Sequence, residues 1–532
     1  MRVRARSALP PVVTCGPMLG EPSPPVAGSE AVAHETRRDI GVALRNALKL
    51  GSSLLATWAV GLYVGFDIPK QLGPERFGIL YYAESFTGAV FVVCGLGLDT
   101  YIQKSVSTNP AHASDFFGTV LALRGFLSAL VLGGLLFYLR VGASDTHEHA
   151  GSETLAAVMM YGGTQVLLTL NLSLSALLQS ATKVGRLAVS NVASKVLWGF
   201  GVIVALHFRA PVWLVIFPMF ATELMKSCVL AYVVRRELSL RLTWNVAAAR
   251  EVLKVSRAFF INTAAFTVGS MLDGAMMKNL SSAEELGWYG GAKRIANVAL
   301  LLSPLVSWIL MPLLTRARAR SDDEFFAVLR RSTEAVLVGA IPVTMMLSVG
   351  ADVWIHLLYR HNYEPAIMSL RVLAPSFVLT YMNVLLATAL ILFDRAWPVT
   401  LVSLGSLAIQ PFCISYMVPF GARHFGVGGA GLGNAIVFSF LELFSMVGFA
   451  LYLGRRSVDA RCLYAIFGSI GAFAVIALLD RQIQALGPAR LAVDAVVYTA
   501  LIFVTRTVRV ADVRGVVGIA MERRRERAAA RG

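Results

Sequence analysis

The chain is poor in charge. Of its 532 residues, 15% are Asp, Glu, Lys or Arg, against roughly 25% in soluble domains, so an ordinary water-facing surface is excluded. Cysteine is scarce and scattered. Cys15, Cys94, Cys228, Cys413 and Cys462 stand singly, which excludes a disulfide framework and the paired spacing of a zinc site. The opening residues do not read as a secretory leader. Residues 1–45 are rich in Pro, Gly and Arg without an apolar h-region, and are expected to form a disordered cytoplasmic tail. Long polar connections are lacking: those between apolar segments are mostly under about 15 residues, which leaves no room for a catalytic domain between them. The outer loop 140–153 has neither the size nor an Asp-x-Asp pattern for a polyprenyl-dependent glycosyltransferase or glycan polymerase. Its "HEH" at 147–149 reads as a solvated loop.

What is abundant is hydrocarbon. The chain is 56% hydrophobic with a mean hydropathy of +0.65. Apolar runs of about 20 residues recur along nearly its whole length, the pattern of membrane-spanning helices. About fourteen spans are expected, the first at 47–69 and the last at 488–507. Their basic ends lie on one face. Arg37, Arg38, Arg45 and Lys49 precede the first span, Arg235, Arg236, Arg241, Arg250 and Lys254 lie between the sixth and seventh, and "MERRRERAAARG" closes the chain. The positive-inside rule then places both termini in the cytoplasm of an inner-membrane protein. The net charge of +16 is therefore topology and contact with anionic lipid, not a nucleic-acid footprint.

One phrase is written twice. "LGPERFGILYYAESF" (72–86) and "LSSAEELGWYGGAKRI" (280–295) align at an offset of 209 residues, which pairs Glu75 with Glu284, Gly78 with Gly287 and Ala83 with Ala292. Upstream, Asp67 in "VGFDIPKQ" parallels Asp273 in "GSMLDGAMMKN" after a three-residue gap. The repeat unit is six spans. Because six is even, both units begin on the same side and are related by an axis along the membrane normal. The expected organisation is a tail (1–45), two six-helix bundles (46–240 and 241–456), two further spans (457–510) and a basic tail (511–532).

At these residues the chain resembles a known family. "LGPERFGILYYAESFTGAVFVVCGLGLDTYIQKSV", "LDGAMMKNLSSAEELGWYGGAKRI" and "FGVGGAGLGNAIVFSFLELF" (425–444) are similar to signatures of bacterial polysaccharide, or O-antigen-type, flippases. That family belongs to the multidrug/oligosaccharidyl-lipid/polysaccharide exporter superfamily, and the similarity runs over roughly 45–455. The resemblance implies a V-shaped, two-lobed fold. It implies movement of a polyprenyl-diphosphate-linked oligosaccharide between leaflets, driven by a gradient of H+ or Na+, with no cofactor and with polysaccharide polymerase machinery as a partner. A multidrug exporter of the same superfamily and a flippase for a peptidoglycan or teichoic-type precursor remain as alternatives.

Charges inside spans point to the site independently, since each costs at least about 2.5 kcal/mol unless it faces a partner or a wet cavity. Lys293 and Arg294 lie roughly 10 Å below the outer end of span eight. Glu84 sits at the equivalent depth in the first repeat, so the reversed charge sets complementary walls across one cleft or locks it with a salt bridge. Arg124 and Lys195 are further candidates for the diphosphate, Arg by bidentate contact and Lys as a point charge, with snorkelling as the alternative for Lys195. Glu223 is either a coupling residue or the partner of Lys226 one turn on. Asp67 and Asp273 are candidates for helix-end gating or ion coordination. Asp99, Lys104 and Glu442 read as interfacial.

Overall fold

The structure is a computed structural model that describes residues 27–95, 113–142, 150–180, 184–238, 246–454 and 460–505. Asp99, Lys104, the 147–149 loop and the basic run at the end of the chain lie outside the described residues. No strand occurs among the described residues. In chain order the helices are α1 (Ala27–Gly95), α2 (Ala113–Gly142), α3 (Ala150–Ser180), α4 (Val184–His207) and α5 (Val212–Leu238). They continue as α6 (Val246–Leu280), α7 (Ala283–Ala296), α8 (Ser303–Arg320), α9 (Asp322–Val349) and α10 (Ala351–Tyr359). The last five are α11 (Ala366–Leu392), α12 (Ala396–Phe425), α13 (Gly429–Leu453), α14 (Ala460–Gln482) and α15 (Arg490–Val504). Nine helices among the described residues are long and apolar enough to cross a membrane. This is a multi-pass membrane protein.

Two expectations need correction. Helix α1 starts at Ala27, inside the segment expected to be disordered. The Pro-rich composition ends at Pro25, and the Ala-rich sequence that follows favours helix. The first two expected spans follow one another without a loop and are separated by a kink at Gly73 (φ 75°), flanked by Pro69 and Pro74. Their apolar part, Gly51–Gly95, is 45 residues long, about twice what one crossing of a bilayer needs. Span eight, expected as one helix over 286–314, is interrupted instead. A 3-10 turn at Asn297–Leu302 separates α7 from α8, and Pro304 supplies no N–H to continue the ladder.

Local signals explain the other helix starts. Ser282 caps α7 by accepting from the Glu285 N–H at 3.2 Å, with Glu284 and Glu285 in the first turn. Ser321 does the same for α9 through Glu324 at 3.1 Å, with three acidic residues in the first turn. The carboxylate of Glu285 reaches a second helix. It accepts from the backbone N–H of Gly428 at 2.7 Å and Gly431 at 3.3 Å, at the start of α13.

The repeat places its two copies against each other. A Cβ on Gly78 would overlap the carbonyl oxygen of Ala283, and one on Gly287 would overlap that of Pro74. Pro74 and Ala283 are themselves 209 residues apart, so the crossing of α1 over α7 is reciprocal and locally two-fold. Lipid tails are as apolar as Leu, so helices associate in a membrane by close packing, which small residues permit. Around this crossing Phe77, Leu80, Ala83, Leu286, Tyr289 and Ala292 are buried in one cluster with Ile355, Tyr359 and Leu370 of α10 and α11. The same end is closed by longer contacts. Arg76 donates to the Ala210 carbonyl at 2.6 Å and lies 3.6 Å from Glu153. Tyr363 donates to the Pro69 carbonyl at 3.1 Å, across 294 residues of sequence. A separate cluster joins α9 to α14 and α15 through Met345, Val349, Ile476 and Tyr498.

Candidate functional site

Below the glycine crossing the two halves diverge around a cavity of about 690 Å³. Its walls come from both repeats. Tyr81, Glu84 and Ser85 belong to α1, while Ser270, Lys293, Arg294, Asn383, Gln410 and Glu442 belong to the second half.

Lys293 and Arg294 are neighbours in sequence, and a helix turns about 100° per residue, so they face different ways. Arg294 crosses to the first half. One terminal nitrogen donates to the Gly65 carbonyl at 3.0 Å and the other to Glu84 at 3.4 Å, while Phe77 lies 5.0 Å away beneath the guanidinium. Lys293 stays in its own half, where its ammonium donates to the Asp273 carboxylate and to the Ser270 carbonyl, the latter at 2.9 Å. Asp273 is almost fully buried and also accepts from the Tyr289 hydroxyl at 2.6 Å and the Gly274 N–H at 2.7 Å. The repeat's charge reversal thus makes two ion pairs, one inside a half and one between halves.

The other candidates fall away from this wall. Lys195 and Glu223 share a second cavity, about 700 Å³, within the first half. The Lys195 ammonium sits 3.6 Å over the ring of Trp198. The carboxylate of Glu223 accepts from Asn171 at 2.7 Å, so its partner comes from α3 and is not Lys226. Arg124 is fully buried and turned into its own bundle, donating to Ser173, to the Thr169 carbonyl at 3.1 Å and to the Gly95 carbonyl at 2.7 Å. It lines neither cavity. Asp67 accepts from Gln71 at 2.5 Å one turn on. It therefore shares none of the buried bonding of Asp273, and the two aspartates are not structural equivalents.

Sequence reasoning missed a different symmetric pair. Asn383 donates to Glu442, at 3.0 Å to its carbonyl and 2.7 Å to its carboxylate, and Asn171 makes the same two bonds to Glu223 at the same distances. Glu442 is therefore not interfacial; it lies mid-way along α13 on the wall of the central cavity. The sequence signal was two Glu-Leu dipeptides, 223–224 and 442–443, each following an Asn by 50 to 60 residues.

Two helical halves around a central cavity, closed at one end by a repeated crossing, define the class as an all-helical, two-lobed, multi-pass membrane protein. Solved structures agree on the fold. The chain superposes on the lipid II flippase MurJ in an inward closed conformation with a TM-score of 0.65 and 12% identity, covering 86% of this chain and 98% of that one. For an inward-facing multidrug resistance MATE family transporter of the MOP superfamily the values are 0.60, 14%, 76% and 94%. For the Vibrio cholerae MATE transporter VcmN in its bent form they are 0.51, 13%, 77% and 96%. No curated protein sequence matches the chain. A family model described as "Polysaccharide biosynthesis protein" matches residues 70–368, more than half of the chain, and the chain belongs to that family.

Proposed function

We propose that the protein is a flippase. It carries a polyprenyl-diphosphate-linked oligosaccharide across the bacterial inner membrane, both termini inside, in the assembly of a cell-surface or exopolysaccharide. The observation that carries this reading is the pair Lys293–Arg294 on the wall of a cavity between the halves, in a chain of the polysaccharide biosynthesis family.

Both cations are held by carboxylates here, so neither presents an uncompensated positive charge to the cavity. Separation of the halves removes Arg294 from Glu84 and leaves its planar donor fork free for a phosphate oxygen. Glu84, left without its cationic partner, takes up H+ or Na+ in its place. Substrate and coupling ion therefore occupy the two members of one salt bridge in alternate states. Lys195 and Glu223 form a second charged pocket in the first half. The buried hydrogen bonds of Arg124 assign it to holding α1, α2 and α3 together. No covalent step is required of these groups, and polymerase machinery would receive the product.

The test is surface glycan in cells carrying Arg294→Ala, at matched protein level in the membrane. We expect loss of the glycan, with partial return in Arg294→Lys. Unchanged glycan in the alanine variant would move the diphosphate site elsewhere. The fold shared with a lipid II flippase favours a second reading, a peptidoglycan precursor as cargo. Under that reading Arg294→Ala cells would lyse with their surface polysaccharide intact.

A further inference from the structure

The corner between α10 and α11 carries a group of side chains unconnected with the central cavity. His356 lies in the last turn of α10, His361 opens the short 3-10 turn that follows, and Glu364 ends it. His356 Nε2 is 3.2 Å and His361 Nδ1 is 2.9 Å from Glu364 Oε1. One ligand atom from each residue falls within 4.8 Å of the others, and the two imidazole rings are 4.9 Å apart. Arg360, with φ 67°, turns the chain so that His361 folds back over His356. We propose that His356, His361 and Glu364 form a site for a divalent transition metal of the Zn2+ class.

The chemistry selects the ion. Two imidazoles and one carboxylate suit Zn2+, Cu2+ or Ni2+, whereas Ca2+ and Mg2+ prefer oxygen. Three protein ligands leave a position for water. All three residues are exposed, so an ion reaches them from solvent. The backbone beneath is fixed independently, since the Asn362 carbonyl accepts from the Trp288 indole at 2.9 Å and Tyr363 is tied to Pro69. A bound ion would clip the end of α10 to the start of α11, the same corner whose Tyr363 reaches α1. Occupation of this site therefore stiffens the closed end of the transporter.

The measurement is Zn2+ titration of the purified full chain by calorimetry, with Mg2+ as control and melting temperature as a second readout. We expect one saturable Zn2+ site, a higher melting temperature with Zn2+ and no response to Mg2+. His356→Ala and His361→Ala should each weaken binding about tenfold or more and abolish the thermal shift. Co2+ should give visible absorbance of a four-coordinate site in the native chain and none in the variants. A chain with both His147 and His149 replaced by alanine should bind as the native one does. Retention of the Zn2+ isotherm in His361→Ala, or its loss when His147 and His149 are removed, would overturn the assignment.

Discussion

Adding one methyl group at Gly287 should open the closed end of this protein. In Gly287→Ala the new carbon would overlap the Pro74 carbonyl oxygen, and would lie 2.7 Å from the carbonyl carbon and 3.0 Å from Cα. The obstacle is backbone, so no rotamer relieves it, and α7 must move away from α1. Overpacking of this kind costs about 1–3 kcal/mol. Because the strain exists in the state where the halves touch, it lowers that state's population relative to the open one by about 5- to 150-fold. Gly78→Ala should do the same through the Ala283 carbonyl, by the symmetry of the crossing. Gly290→Ala should strain the same interface, because its new methyl meets Cγ of Tyr81 at 2.7 Å, an atom that turning the ring does not move. Gly51→Ala and Gly133→Ala meet nothing within 4 Å and serve as controls. Spin labels on Phe208→Cys of the loop after α4 and Leu357→Cys of α10, both exposed, report the separation of the halves in pulsed electron resonance. We expect the distance distribution to broaden toward longer values in Gly287→Ala and Gly78→Ala, and to remain native in the controls. A native distribution in an intact Gly287→Ala protein would refute the claim that this crossing closes the end.

The remaining predictions concern the ion pairs. At 3.4 Å the attraction of Arg294 for Glu84 is about 5 kcal/mol at an effective dielectric of about 20. Side chains 24% and 38% exposed reduce the net coupling to about 1 kcal/mol. A double-mutant cycle of Glu84→Gln and Arg294→Gln, read on the same label pair, should recover that coupling, and additive effects would mean that the two do not act together. Asp273→Asn leaves the buried Lys293 ammonium without its anion and should cost about 3–5 kcal/mol. A marked fall in melting temperature should follow, with recovery in Asp273→Asn combined with Lys293→Met; a silent single variant would show that the pair carries no stability.

The class of the protein was legible in its composition, because a bilayer imposes one demand on every span and about twenty apolar residues meet it. The duplication was legible as well. Gly78 and Gly287 keep their spacing from Glu75 and Glu284 because close approach of helices tolerates no side chain at those positions. The depth of Glu84, Lys293 and Arg294 could be counted from the helix ends, which brought them to one level.

Direction could not be counted. Whether Lys293 or Arg294 crosses to Glu84 depends on the rotation of α7, which packing against α1, α11 and α13 sets and no residue of α7 alone specifies. Arg124, charged and mid-span, reads from sequence like a ligand, yet the carbonyls of Thr169 and Gly95 claim it. Glu442 gained its meaning from Asn383, 59 residues away and on another helix. The interruption of span eight and the corner that gathers His356, His361 and Glu364 likewise arise where helices meet. The sequence by itself determined that these helices cross a membrane, that there are two copies of them, and how deep each charge lies. The tertiary structure decided which charges meet, because hydropathy fixes position along the membrane normal and leaves rotation about it to contacts between segments distant in the chain.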